Sequence, residues 1–214
     1  MSLKALILLA LLSKDPHSKD IETWQQREAR MEIMADAVVS AVNVATCTEQ
    51  PSDCRRIWPG SPKELAMSLV TLAHYESNFA QHIHEGRCNL AKGECDARRV
   101  PVMNEWGKAQ RVARSISPWQ IQKFDIPDDE WTKISSGVEG TSLAAWHAAR
   151  RLSSAYRSCG GYEGAFARYA TGRSCDWAGA APRVRTLESF MSLSEDTLRK
   201  RVDQQKALYP RKGE

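Results

Sequence analysis

Long apolar runs are missing from this chain of 214 residues. No stretch approaches the roughly 18 consecutive apolar residues that span a bilayer. Internal repeats and low-complexity tracts are absent as well. Charge of one sign is in short supply: 30 Lys and Arg against 26 Asp and Glu leave a formal +4. So mild a balance favours anionic polymers, nucleic acid or bacterial wall alike, without choosing between them. No nucleic-acid module and no concentrated basic face can be read, so nucleic acid is not an expected partner. His74, His82 and His84 match no metal motif, and no metal or cofactor is expected.

What is present fits one globular domain with tails. Hydrophobic residues make up 42% and charged residues 26%, unlike a disordered chain. Six cysteines fall in three pairs of short separation: Cys47 and Cys54, Cys88 and Cys95, Cys159 and Cys175. Sequence does not choose among the connectivities, and local pairing is the simplest. A zinc site of Cys88, Cys95 and His82 or His84 competes, but the cysteine gaps exceed the usual spacing of structural zinc ligands. Paired cysteines imply an oxidising compartment. The expected location is therefore extracytoplasmic (periplasm, wall or secreted) or virion-associated. Ala5 to Leu12 is apolar behind Lys4 and reads as a short signal-peptide core, or as an ordinary N-terminal helix packed on the domain. Residues 1–20 are set apart on this ground from a main domain at 21–191 and a helix and tail at 192–214.

Helical periodicity dominates. Trp24, Met31, Met34, Ala35, Val38, Ala41, Val42 and Ala45 trace one face over 21–45,. Ser61 with Glu64 forms a capping box, and Pro62 suits the first helical position. Residues 81–114 lack clean periodicity, with short strands expected near Val100–Met103 and Pro118–Ile121. Thr141 caps a helix with Ala145, Ala148, Ala149, Leu152 and Ala155 on its buried face, closed by Gly160. A shorter helix runs from Tyr162 to Tyr169 and stops at Gly172. Ser192 with Glu195 starts a last helix through Leu198 and Val202. The fold class is mainly α, with an irregular, disulfide-stapled middle and little β.

The candidate for chemistry is Glu76. It follows Leu65, Leu69 and Leu72 on one helical stripe,. A carboxyl at the inner end of an apolar stripe loses hydration, which raises its pKa towards that of a general acid. The alternative is a helix-end residue that reaches water past the last leucine.

Three stretches align in order: Glu76-Ser77-Asn78-Phe79, Ser115-Ile116-Ser117-Pro118-Trp119-Gln120-Ile121 and Ala167-Arg168-Tyr169-Ala170-Thr171-Gly172. Over about half the chain they resemble the lysozyme-like superfamily, in its lytic transglycosylase and goose-type lysozyme branch. The resemblance implies a lysozyme-like α-helical fold. It implies Glu76 as catalytic acid, Ser115 and Gln120 lining the cleft, and Tyr169 bonded to the catalytic carboxyl. Ser117 stands where the family has glycine, and Pro118-Trp119 replaces Leu-Met. Ala170 replaces an asparagine. If the glycine serves a positive φ, Ser117 must adopt one.

The implied activity is peptidoglycan cleavage at the β-1,4 MurNAc-GlcNAc bond, with 1,6-anhydro-MurNAc ends formed by a single glutamate. The implied partner is the glycan strand of the wall, with an envelope or virion assembly partner as a further option and a monomer as the expected state. A water-using hydrolase is the alternative, its second carboxylate drawn from Asp96, Glu105, Asp125 or Asp176. A non-catalytic glycan-binding module of the same fold is another. Trp106, Trp119 and Trp177 are candidates for stacking on sugar rings, with core packing as the plainer role. Ser117, in the second stretch, joins Trp119 among the candidate substrate contacts. Arg98, Arg99, Arg111 and Arg114 are candidates for peptide or lactyl carboxylates.

Overall fold

Alanine sets the central packing. Ala145, Ala148, Ala149, Leu152 and Ala155 are all buried, and small side chains let this helix lie close along the methionine- and valine-rich face of residues 24–46,. The computed structural model describes residues 1–15, 22–48, 54–86, 97–103, 109–113, 115–122, 126–134 and 137–209, with 97–103 and 109–113 described through their backbone. Among these residues the chain is mainly α.

The order is α1 (Leu3–Leu12), α2 (Trp24–Thr46), α3 (Pro62–Ser77), α4 (Gln81–His84), β1 (Ala97–Met103), β2 (Ala109–Ala113), β3 (Ser115–Ile116) and β4 (Ile121–Gln122). Then follow α5 (Asp128–Ile134), a 3-10 turn (Gly137–Gly140), α6 (Thr141–Cys159), α7 (Tyr162–Thr171), α8 (Ala180–Ser192) and α9 (Glu195–Leu208). Among the described residues two antiparallel hairpins make up the β structure: β1 with β2, and β3 with β4 through Ser115 opposite Gln122.

Several local expectations hold. Ser61 and Glu64 form a reciprocal capping box on α3, Gly160 ends α6 with φ +74° and Gly172 ends α7 with φ +76°. Cys47–Cys54 and Cys159–Cys175 are disulfides with Cα separations of 5.8 and 5.5 Å. These bonds are compatible with an oxidising location. Cys88 and Cys95 lie outside the described residues. Gly164 sits in α7 because a Cβ there would come within 2.6 Å of the Cys159 Cβ.

Others need correcting. Pro118–Trp119 belongs to the turn between β3 and β4, not to a strand. Thr141 is the first residue of α6, not its cap; its hydroxyl pairs with His84 Nε2 at 2.8 Å. Ser194, not Ser192, caps α9. Helix α8 went unforeseen, yet Pro182 is harmless in a first turn whose N–H groups have no helical partner,. The terminal helices pack on the rest, as the alternative of an ordinary N-terminal helix has it for α1. Ile7, Ala10 and Leu11 of α1 and Leu198 of α9 are fully buried in one core with the other helices. No helix among the described residues is long and apolar enough to cross a membrane.

Two histidines near the end of α3 are held neutral by burial. Desolvation pushes His84 from its ordinary 6.5 down to about 3 and His74 down to about 4,. With folded pKa values below the unfolded one, stability is fully present above pH 6.5. It is lost as pH falls through the window towards 4 and then 3. Urea unfolding across pH 7.5 to 4 is expected to show a stability decline beginning near 6.5. The limiting slope is about 1.4 kcal/mol per pH unit for buried His84, and His84→Gln is expected to flatten it.

Candidate active site

Helix α3 presents its leucine stripe inward, with Leu65, Leu69 and Leu72 fully buried. Glu76 lies one turn further on, at the rim, its side chain 18% exposed. The carboxyl does not end in apolar surroundings, as the stripe alone implied. Arg183 of α8 donates from Nη2 to Glu76 Oε1 at 3.1 Å. The guanidinium is itself clamped: it lies over the rings of Tyr75 and Trp177, 4.7 Å from each centroid. Its Nη1 donates to the Gly179 carbonyl at 3.0 Å. Such cation–π contacts fix a cation's position as well as its charge. Glu76 Oε2 has no hydrogen-bond partner among the described residues.

Both sides of the α3 terminus are fastened. Helices α3 and α8 run antiparallel: Lys63 Nζ donates to the Met191 carbonyl at one end, and Tyr75 Oη to the Pro182 carbonyl at the other. Beyond Glu76, Asn78 and Phe79 both take positive φ, 47° and 54°. Asparagine tolerates that region, whereas phenylalanine is strained there. Arg30 of α2 holds the bend by donating to the Phe79 carbonyl at 2.6 Å. Arg30 is in turn gripped by Glu22 through two bonds of 2.8 and 2.5 Å.

The second stretch folds into the β3–β4 turn. Ser117 has φ +72°, so it does adopt the left-handed backbone that glycine would take more readily. Its neighbour Trp119 is fully buried. The indole N–H donates to the Leu69 carbonyl of α3 at 2.9 Å, and the Trp119 carbonyl accepts from Tyr169 Oη of α7 at 2.9 Å. One residue therefore ties together the elements carrying all three stretches.

The structure reassigns several expected substrate contacts. Trp119 has no exposed face on which a sugar could stack. Ser115 is buried and donates to Gln120 Oε1 at 2.8 Å, while Gln120 Nε2 donates to the Ser117 carbonyl at 3.1 Å. Ser117 is also buried. These polar groups shape the turn. Tyr169 does not donate to Glu76, because its single hydroxyl proton goes to Trp119,. No hydrogen bond among the described residues joins Glu76 to Gln120 or Tyr169.

Trp177, 37% exposed, is the described tryptophan with an accessible ring beside the carboxylate. Gly179 has no side chain because a Cβ would fall 2.3 Å from that ring. Asp176, next to it, is exposed. Asp96, Glu105, Trp106, Arg114 and Asp125 lie outside the described residues, as do the side chains of Arg98, Arg99 and Arg111. Sequence reasoning missed Arg183 and Tyr75.

Compared with protein-family models, with curated proteins and with solved structures, the chain gives no match.

Tyr169→Phe removes the proton that satisfies the buried Trp119 carbonyl. Urea unfolding is expected to show a loss of about 1–3 kcal/mol. A variant as stable as the wild type contradicts the bracing role.

Proposed function

We propose that this chain cleaves the β-1,4 MurNAc-GlcNAc bond of peptidoglycan as a lytic transglycosylase of lysozyme-like fold, with Glu76 as acid and then base. The observation that carries this reading is the meeting of the three stretches at Trp119, on the same helix that ends in Glu76. Ser117 with its positive φ is a second support, since it lets the turn keep a backbone for which the family uses glycine.

The chemistry divides between the two carboxyl oxygens. Arg183 holds Oε1 and fixes the plane of the group, leaving Oε2 to exchange a proton,. In the first step Glu76 gives its proton to the glycosidic oxygen as the bond to MurNAc C1 breaks. In the second, the ionised Glu76 takes the proton of the substrate's C6 hydroxyl, whose oxygen bonds to C1 and closes the 1,6-anhydro ring. No water and no second carboxylate is consumed. Trp177 offers the accessible ring on this side of the molecule for a sugar face,. Gln120 contributes by shaping the β3–β4 turn.

Purified wall incubated with wild type and with Glu76→Gln tests the reading. The wild type is expected to clear turbid wall and release 1,6-anhydro ends identifiable by mass spectrometry. Glu76→Gln is expected to be slower by about 10²–10⁴-fold, with an unchanged melting temperature. Reducing ends instead would assign a hydrolase. Equal clearing by both proteins would remove Glu76 from the mechanism.

A further inference from the structure

Residues 172–178, between α7 and α8, are exposed throughout, yet they deliver Trp177 to the guanidinium beside Glu76. Among the described residues, the hydrogen bonds of this segment all stay close in sequence. The Gly172 N–H donates to the Arg168 carbonyl, and those of Arg173 and Ser174 to the Thr171 hydroxyl. The Asp176 N–H donates to the Ser174 hydroxyl, and the Ala180 N–H to the Trp177 carbonyl. Bonds of this reach shape a turn without fixing it against the helices. The tie that reaches furthest is covalent: Cys175 is joined to Cys159, the last residue of α6, at a sequence separation of 16. The bridge lies against α7, where a Cβ on Gly164 would come within 3.4 Å of the Cys175 carbonyl oxygen.

From the bridge to the carboxyl is a short path. Two residues of chain span at most about 7 Å, so a fixed Cys175 confines Trp177 and a free one does not. The Trp177 ring lies 4.7 Å from the Arg183 guanidinium, whose Nη2 donates to Glu76 Oε1. The buried Nε of Arg183 has no hydrogen-bond partner among the described residues, so ring contacts carry more of its placement. The bridge is also within reach of a reductant. Cys175 is exposed, as are Ser174 and Asp176 on either side of it. Access and exposure are what separate reducible disulfides from inert ones. In the other described bridge, Cys47–Cys54, both cysteines are half-buried.

We propose that the Cys159–Cys175 bond is a redox switch on the Glu76 site. Closed, it seats Trp177 on Arg183 and so holds the carboxyl; opened by a dithiol reductant, it releases the ring and loosens both partners. A thiolate of the reductant attacks the exposed Cys175 sulfur, the S–S bond breaks, and Cys159 leaves as a thiolate that takes up a proton. The second thiol of the reductant then displaces Cys175 from the mixed disulfide. Two electrons and two protons pass to the protein, and the reductant leaves as its own disulfide. Thiol-rich compartments keep such cysteines reduced, so the site is fully assembled only in oxidising surroundings.

Fluorine NMR of the full chain labelled with fluorotryptophan, beside an assay on purified wall, tests the switch before and after reduction with dithiothreitol. Trp177→Phe identifies the Trp177 resonance among those of the seven tryptophans. Reduction is expected to shift that resonance and to slow wall cleavage by at least about tenfold, and reoxidation to restore both. Cys159→Ser with Cys175→Ser is expected to match the reduced wild type and to ignore dithiothreitol. Cys47→Ser with Cys54→Ser is expected to keep the response. Trp177→Ala, which retains the bridge, is expected to be slow already and to lose nothing more on reduction. A Trp177 resonance that reduction leaves in place, or an undiminished cleavage rate, overturns the proposal. So does a reduced protein that has lost its cooperative melt at the assay temperature. The cleavage arm rests on the proposed function: a wild type inert on wall counts against that reading, and the resonance then decides the switch.

Discussion

The buried indole of Trp119 joins segments fifty residues apart in either direction. Its N–H reaches a carbonyl in the middle of α3, using the lone pair that the helix leaves over. Its own carbonyl receives the Tyr169 hydroxyl from α7. The residue sits in a turn whose Ser117 and Gln120 both have positive φ. Such backbone is unfavourable for residues with a side chain, and it persists where surrounding contacts over-determine it. Burying a tryptophan, with both its polar groups satisfied, is a contact set of that kind.

The α3 terminus is built by the same logic with charged groups. Arg30 holds Phe79 from the α2 side, Arg183 of α8 holds Glu76, and Tyr75 beside it ties α3 to the Pro182 carbonyl of α8. Every cation in this arrangement lies against a ring, a carbonyl or a carboxylate, so little freedom remains to the carboxyl between them. A fixed carboxyl with one oxygen bonded and one available is the geometry on which the proposed proton transfer relies.

Much of the helical framework was legible because it rests on local rules. The Ser61–Glu64 capping box, Pro62, Gly160 and Gly172 act within a few residues of themselves, so spacing alone identifies them. The alanine face of α6 was legible for a related reason: burial repeats with the helical period. Arg183 was not. It reaches Glu76 across 107 positions of chain, and its helix carries a proline whose tolerance depends on its place in the first turn. The role of Tyr169 was misassigned on similar grounds, since a motif names a hydroxyl without naming its acceptor. Trp119 looked like a sugar platform because composition cannot tell a buried ring from an exposed one.

Sequence by itself determined that the chain is mainly helical, where α3, α6 and α7 end, and that Glu76 closes a leucine stripe. Those properties follow from backbone preferences and from periodicity, which act over one or two turns. Only the tertiary structure decided what stands opposite the carboxylate and which hydroxyl braces the hairpin. Such relations depend on which helices pack together and at what rotation, and no short window of residues contains that information.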